Sequence, residues 1–284
     1  MPLARVPHCC KPQDVLSFAR PSPHGYPMRF PFQKATTATQ YRQPTPTAVP
    51  EIPGAEIAAV YHGTRLAGDF YDMIALGTSR FIFLLVDIAG DKDSGQAIAA
   101  TVQDEFRGRT PELFRDEEVN EAEAVSELTL HLNRVILEAA GGVRCTPAFV
   151  ASYNENLGVV FYCNAGHTPG TLRDSAGVWE LGATGLPLGL FSHAIHDAQV
   201  STLEQGAALV LVSKGLIESR AGRKEYGIDR VKQVLKDSRG TSAQELCAHV
   251  MESVYQFTGK PPRHDDVTTL ALLRAAKTKA AQVG

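Results

Sequence analysis

Nowhere in the 284 residues does an apolar run approach the roughly 20 residues that a membrane-spanning helix needs; the longest, such as Phe81 to Val86, have the length of buried strands. A soluble protein without a membrane partner is the expectation. Basic blocks are also missing: 28 Lys and Arg stand against 31 Asp and Glu, a net charge of −3, which argues against nucleic acid or anionic lipid as a partner. There is no Gly-rich phosphate loop and no internal repeat. The five cysteines (Cys9, Cys10, Cys145, Cys163 and Cys247) are odd in number and contain no CxxC pair, so they read as reduced thiols, with Cys163 a small buried hydrophobe. The stretch from Met1 to about Gln43 lacks the apolar core of a secretory signal, and a cytoplasmic location is expected.

What is present is enough apolar content, 44%, to bury one large core. Residues 1–50 form a Pro-rich tail (PSP, FPF, QPTPTAVP) whose composition predicts disorder; the domain proper is expected over 51–275, with a short tail over 276–284. EIPGAEIAAVYHG reads as a turn and a strand, and RFIFLLVDIAG as a buried strand ending at Asp87. Amphipathic spacing predicts helices over Ser94–Phe106 and Glu121–Ala139, then a third over Ser242–Phe257 with Ser242 as N-cap. Between them TPAFVASY, LGVVFYCNAG, GTLRDSAGVWEL and GAALVLVSKG alternate β-prone runs with turns, as an antiparallel meander does, and VTTLALLRA closes the chain as a strand. Strands and helices segregate, which predicts an α+β architecture of sheets covered by helices.

Acids punctuate the strand ends. Asp69 opens one strand, Asp87 ends another and Asp265 precedes the last, an arrangement of hard oxygen donors on rigid supports that suits Mg²⁺ or Mn²⁺ and, equally, the ordinary use of Asp at turns. A calcium loop starting at Asp91 fails, because it would need Gly at Gln96 and Glu at Val102.

Five segments occur in a meaningful order: PGAEIAAVYHGTRLAGDFYD, VDIAG, NAGHTPGTL, TGLPLGLF and HDDVTTLALL. Together, from about Glu51 to Arg274, they resemble the SpoIIE/RsbU branch of the PPM-type metal-dependent serine/threonine protein phosphatases. The resemblance implies an αββα sandwich of two mostly antiparallel sheets flanked by helices, with two Mn²⁺ or Mg²⁺ ions around a bridging water in an acidic cleft. It also implies Asp69, Asp87, Asp265 and the backbone carbonyl of Ile88 as metal ligands, Asp69 and Asp87 as the catalytic pair, and Asp72 and Asp266 in support. His167 reads as a satisfied structural histidine, and Thr184 to Leu190 as a Gly/Pro-shaped loop.

The chain departs from the family pattern at two places. In ALVLVSKGLIESR, Lys214 stands where the family usually has a metal-binding Asp, which casts doubt on the second metal and offers a phosphate-binding ammonium instead. After Asp87-Ile88-Ala89-Gly90, Asp91 and Lys92 replace the usual tight glycine turn, and Asp91 or Asp93 are candidate replacement carboxylates. Two functions follow. One is a phosphatase acting on phosphoserine or phosphothreonine of a regulatory protein, with a STAS-type anti-sigma-factor antagonist as the family's usual substrate. The other is a weakened pseudophosphatase that binds a phosphoprotein or regulator. A homodimer remains open, and no sensor domain is recognised in this sequence.

Overall fold

The computed structural model describes residues 43–63, 68–90, 92–238, 242–259 and 266–276. Asp265, Asp91, Cys9 and Cys10 lie outside the described residues.

The layering follows from one strand. In β3 (Arg80–Asp87) every residue from Phe81 to Val86 is 0% exposed, so both faces of the strand are covered. Its period of two sends Phe81, Phe83 and Leu85 to one side and Ile82, Leu84 and Val86 to the other. The strand lies inside an antiparallel sheet ordered β2 (Asp69–Leu76), β3, β4 (Ala148–Asn154), β5 (Val159–Ala165) and β8 (Gln199–Thr202). On the phenylalanine side lies a second antiparallel sheet, ordered β1 (Ala55–His62), β12 (Val267–Arg274), β9 (Ala208–Val212), β6 (Gly170–Arg173) and β7 (Val178–Leu181). Ile57, Leu209, Leu211, Leu270 and Leu272 fill the space between the sheets.

Helices close both outer faces. α1 (Lys92–Leu113) and α2 (Glu121–Ala140) bring Ile98, Val102 and Phe106, and Val125, Leu128, Leu132 and Ile136, onto the Ile82 face of β3. α4 (Ile228–Asp237) and α5 (Ala243–Thr258) cover Val210 and Val212 of the second sheet. The result is the expected αββα sandwich. Ser242 caps α5 as anticipated, in a reciprocal capping box with Glu245, and Gly259 ends the helix at φ 68°. No helix among the described residues is long and apolar enough to cross a membrane.

The structure also departs from the sequence expectation. α1 runs past Phe106 to Leu113, and the stretch after β9 forms α3 (Lys214–Ile217), a hairpin of β10 (Arg220–Ala221) and β11 (Lys224–Glu225), and α4, none of which hydropathy pattern announced. α4 buries only Val231 and Leu235, one apolar pair in a charged helix.

A second difference concerns the tail. The segment Gln43–Pro50, whose composition suggested disorder, is fastened to α1: the Gln103 side chain accepts from Thr45 N at 2.7 Å and donates to Thr45 O at 2.9 Å. Composition reports what a segment can bury, and misses hydrogen bonds offered by a distant helix. Asp72 completes the attachment. Its carboxylate, fully buried, pairs with Arg107 at 2.7 Å and accepts from Thr47 Oγ1 at 2.9 Å and from Met73 N at 3.0 Å. Removing one partner leaves a buried carboxylate short of its compensation, so Arg107→Ala is expected to destabilise the fold by about 3 kcal/mol. A thermal melt checks this; a shift under about 2 °C in Tm would count against a supporting role for the pair.

Candidate metal centre

Asp69 and Asp87 are direct cross-strand partners, the first residue of β2 opposite the last residue of β3. Strand parity decides where the side chains go. Asp69 and Tyr71 face the gap between the sheets, while Phe70 and Asp72 face α1. Asp72, expected in support of the first motif, has its charge used by Arg107 and Thr47 on the helix side. Asp69 reaches the other sheet, where Thr268 Oγ1 of β12 donates to Asp69 Oδ2 at 2.7 Å. Ser213, at the end of β9, locks that strand end by donating N–H to Thr268 O and accepting from Thr268 N, both at 3.0 Å.

The turn after β3 is held by its backbone. Asp87 N donates to Pro147 O and Ile88 N donates to Gly68 O, each at 2.8 Å. These strand ends open onto a cleft of about 240 Å³ lined by Gly68, Asp69, Asp87, Ile88, Ala89, Gly90, Lys214, Gly215, Glu218 and Asp266. Asp266, expected in support, lines the cleft itself at 4% exposure, and the Tyr61 hydroxyl donates to its carboxylate. Lys214 lines the same cleft. Its Nζ lies 3.7 Å from Glu218 Oε1, one helical turn on.

Electrostatics single out Asp69. Burial pushes its carboxyl up to about 8; hydroxyl donation from Ser213 and Thr268 pulls it down, while Asp87 and Asp266 push it further up. Burial and the neighbouring Asp266 likewise raise the Tyr61 phenol. The donors facing the cleft are oxygens, which matches a hard divalent cation rather than a soft one. Among the described residues no three His, Cys, Asp or Glu side chains already form a cage, so the set fits a cation only with further ligands from water, backbone or residues outside those described.

The sign of the Asp69 shift gives a prediction. A carboxyl raised in the folded state binds its proton more tightly there than in the unfolded chain, so this stability is fully present below the unfolded value and is lost as pH climbs through about 8. In EDTA, Asp69→Asn is expected to gain several degrees in Tm over the parent at pH 9 and little at pH 5. Equal differences at both pH values would overturn the assignment.

The remaining candidates lie elsewhere. His167 is 6% exposed; its Nδ1 sits 3.1 Å from Thr168 Oγ1, and its Nε2 has no hydrogen-bond partner among the described residues, so it is only half satisfied. Burial lowers it to about 4, leaving it neutral at ordinary pH. The Thr184–Leu190 loop is irregular as expected and pairs with the entry to β4 through Leu188 and Thr146. Cys163 and Cys247 are buried free thiols. Ser213 and Thr268, which orient Asp69, were not foreseen, although both abut motif residues in the sequence.

Two sheets in an αββα sandwich with carboxylates at their mouth define the PP2C-type phosphatase fold. The chain belongs to the SpoIIE family: the family model for stage II sporulation protein E matches residues 78–275. The phosphoserine phosphatase RsbU of Bacillus subtilis is 28% identical over 152 residues, covering 52% of this chain and 45% of that protein. The RsbU and RsbW domains of Rv1364c from Mycobacterium tuberculosis superpose with a TM-score of 0.63 at 27% identity, covering 81% of this chain and 62% of that one. The catalytic domain of the serine/threonine phosphatase PstP, solved in complex with two manganese ions, shares the fold at 12% identity and a TM-score of 0.55, covering 78% of this chain and 99% of that one. The chain thus spans about half the length of the curated relative it matches.

Proposed function

We propose that this protein is a metal-dependent phosphatase that hydrolyses phosphoserine or phosphothreonine on a regulatory protein. The observation that carries the reading is the in-register pair Asp69 and Asp87 at the mouth of the sandwich, in a chain of the SpoIIE family. Asp69, Asp87, the Ile88 carbonyl and Asp265 hold Mn²⁺ or Mg²⁺, and Asp266 supports or joins them from the adjoining position. A bound divalent cation supplies an activated water and neutralises charge on the phosphoryl oxygens. Thr268 and Ser213 fix the carboxylate of Asp69, and β3, buried on both faces, fixes Asp87. Lys214, on the cleft lining and only loosely paired with Glu218, offers an ammonium to a phosphoryl oxygen. A STAS-type anti-sigma-factor antagonist is the proposed substrate class, as the resemblance of the sequence motifs to the SpoIIE/RsbU branch implies.

Lys214 also favours a second reading, because a cation on the cleft wall competes with a metal for the same carboxylates. A protein so weakened binds its phosphoprotein without turning it over. Hydrolysis of p-nitrophenyl phosphate and of a phosphoserine peptide, with Mn²⁺ or with EDTA, separates the two. Mn²⁺-dependent turnover supports the enzyme; silence, with retained binding of the phosphopeptide, supports the binding module.

A further inference from the structure

Three consecutive residues at the lip of the cleft are held by hydrogen bonds from different directions. Asp87 N is held by Pro147 O and Ile88 N by Gly68 O, both at 2.8 Å, and Ala89 O accepts from Arg144 Nη1 at 2.6 Å. Only the last of these is made by a side chain. Arg144 reaches it from the loop between α2 and β4, and the same Nη1 also lies 3.3 Å from Ser94 Oγ in the first turn of α1.

The arginine is itself firmly placed. Arg144 N donates to Gly189 O at 2.8 Å, and Thr146 and Leu188 exchange both backbone hydrogen bonds at 2.9 Å. A Cβ on Gly189 would lie 2.2 Å from Arg144 O. On the cleft side the guanidinium occupies the space a side chain at position 90 would take: a Cβ there would lie 2.2 Å from Nη1, and Gly90 has φ +140°. Helix stability does not account for this placement, since a cation beside the N-terminal end of α1 opposes the helix dipole. What the contact does fix is the carbonyl side of the Asp87–Gly90 turn.

We propose that Arg144 is a positioning residue for the cation site: by clamping Ala89 O it sets the Asp87–Ile88 segment so that the Asp87 carboxylate and Ile88 carbonyl converge on one ion. This rests on the reading of the cleft as a Mn²⁺ or Mg²⁺ site. Arg144 then acts on metal affinity and leaves phosphate recognition to other groups. It also ties the Thr184–Leu190 loop to the metal turn through Gly189.

The test is a calorimetric Mn²⁺ titration of the full chain, with steady-state hydrolysis of p-nitrophenyl phosphate at saturating Mn²⁺. Arg144→Ala is expected to raise the Mn²⁺ dissociation constant about tenfold, with an unchanged Tm in EDTA and an unchanged KM, and methylguanidinium is expected to restore part of the affinity. Unaltered Mn²⁺ affinity overturns the proposal, and a rise in KM alone would assign Arg144 to the substrate instead. Should Arg144→Ala fail to fold, Arg144→Lys carries the test: it keeps the stem and the charge but loses the planar fork, and a roughly threefold weakening is expected, with no weakening overturning the idea. If the parent protein binds no Mn²⁺ at all, the metal reading of the cleft falls and this inference falls with it; a parent that binds while Arg144→Ala binds equally well removes the inference alone.

Discussion

Replacing Asp87 with Asn is expected to cut Mn²⁺-dependent hydrolysis of a phosphoserine peptide by about a thousandfold, roughly 4 kcal/mol of lost transition-state stabilisation. The substitution is nearly isosteric, and β3 is fully buried from Phe81 to Val86, so the backbone that carries residue 87 has no reason to move. Its N–H bond to Pro147 O is made by main chain and survives. What changes is charge: an amide oxygen replaces a carboxylate directly opposite Asp69, and a divalent cation bound in the cleft as proposed would lose one of its anionic ligands. Removing that charge also relieves Asp69, whose raised proton affinity owes part of its value to Asp87. The variant is therefore expected to melt no lower than the parent in EDTA, while the parent's rise in Tm on adding Mn²⁺ disappears. Activity retained within tenfold of the parent would remove Asp87 from the centre of the chemistry. A lowered Tm in EDTA would show that the loss is structural.

Much of this was legible in sequence because the governing signals are local. Six apolar residues ending in Asp, Phe81 to Asp87, specify a strand buried on both faces and place a carboxylate at its end. Ser242 signals a helix start, and the structure completes it with Glu245 in a reciprocal capping box. The acids at strand ends could be read as a group, yet their convergence depended on sheet register, and only the pairing of residue 69 with residue 87 brings two of them face to face. Asp72 faces a side that depends on register in the same way. Three residues from Asp69, it sits on the opposite face of β2, and its partner Arg107 is supplied by a helix 35 residues away. Arg144 carries no pattern at all, being one arginine in a loop, and its contact with Ala89 spans 55 residues. The segment 43–50 shows the limit of composition: Thr45 and Thr47 are ordinary polar residues until Gln103 and Asp72 meet them.

Lys214→Asp is expected to raise Mn²⁺-dependent turnover by tenfold or more, the opposite of what substituting a cleft residue ordinarily does. Lys214 begins α3 directly after Ser213, whose hydrogen bonds with Thr268 hold the strand end beside Asp69. Its side chain is 56% exposed and meets Glu218 at 3.7 Å, a solvent-screened contact that constrains it little. Substitution therefore has small structural cost. Electrostatically the exchange is large, because a positive charge leaves a wall shared with Asp69, Asp87 and Asp266 and a negative one takes its place. Cation binding strengthens in proportion, so the Mn²⁺ concentration needed for half-maximal activity should fall together with the rise in turnover. If the parent is silent and Lys214→Asp is active, the lysine alone has converted an enzyme into a binding module. If the parent is active and the variant loses affinity for the phosphopeptide, the ammonium is a phosphate ligand and the native centre works with fewer metal carboxylates. Lys214→Met divides these outcomes further: it deletes the charge without adding a ligand, so metal binding that improves in Met as well as in Asp identifies repulsion as the cause, whereas improvement in Asp alone identifies direct coordination.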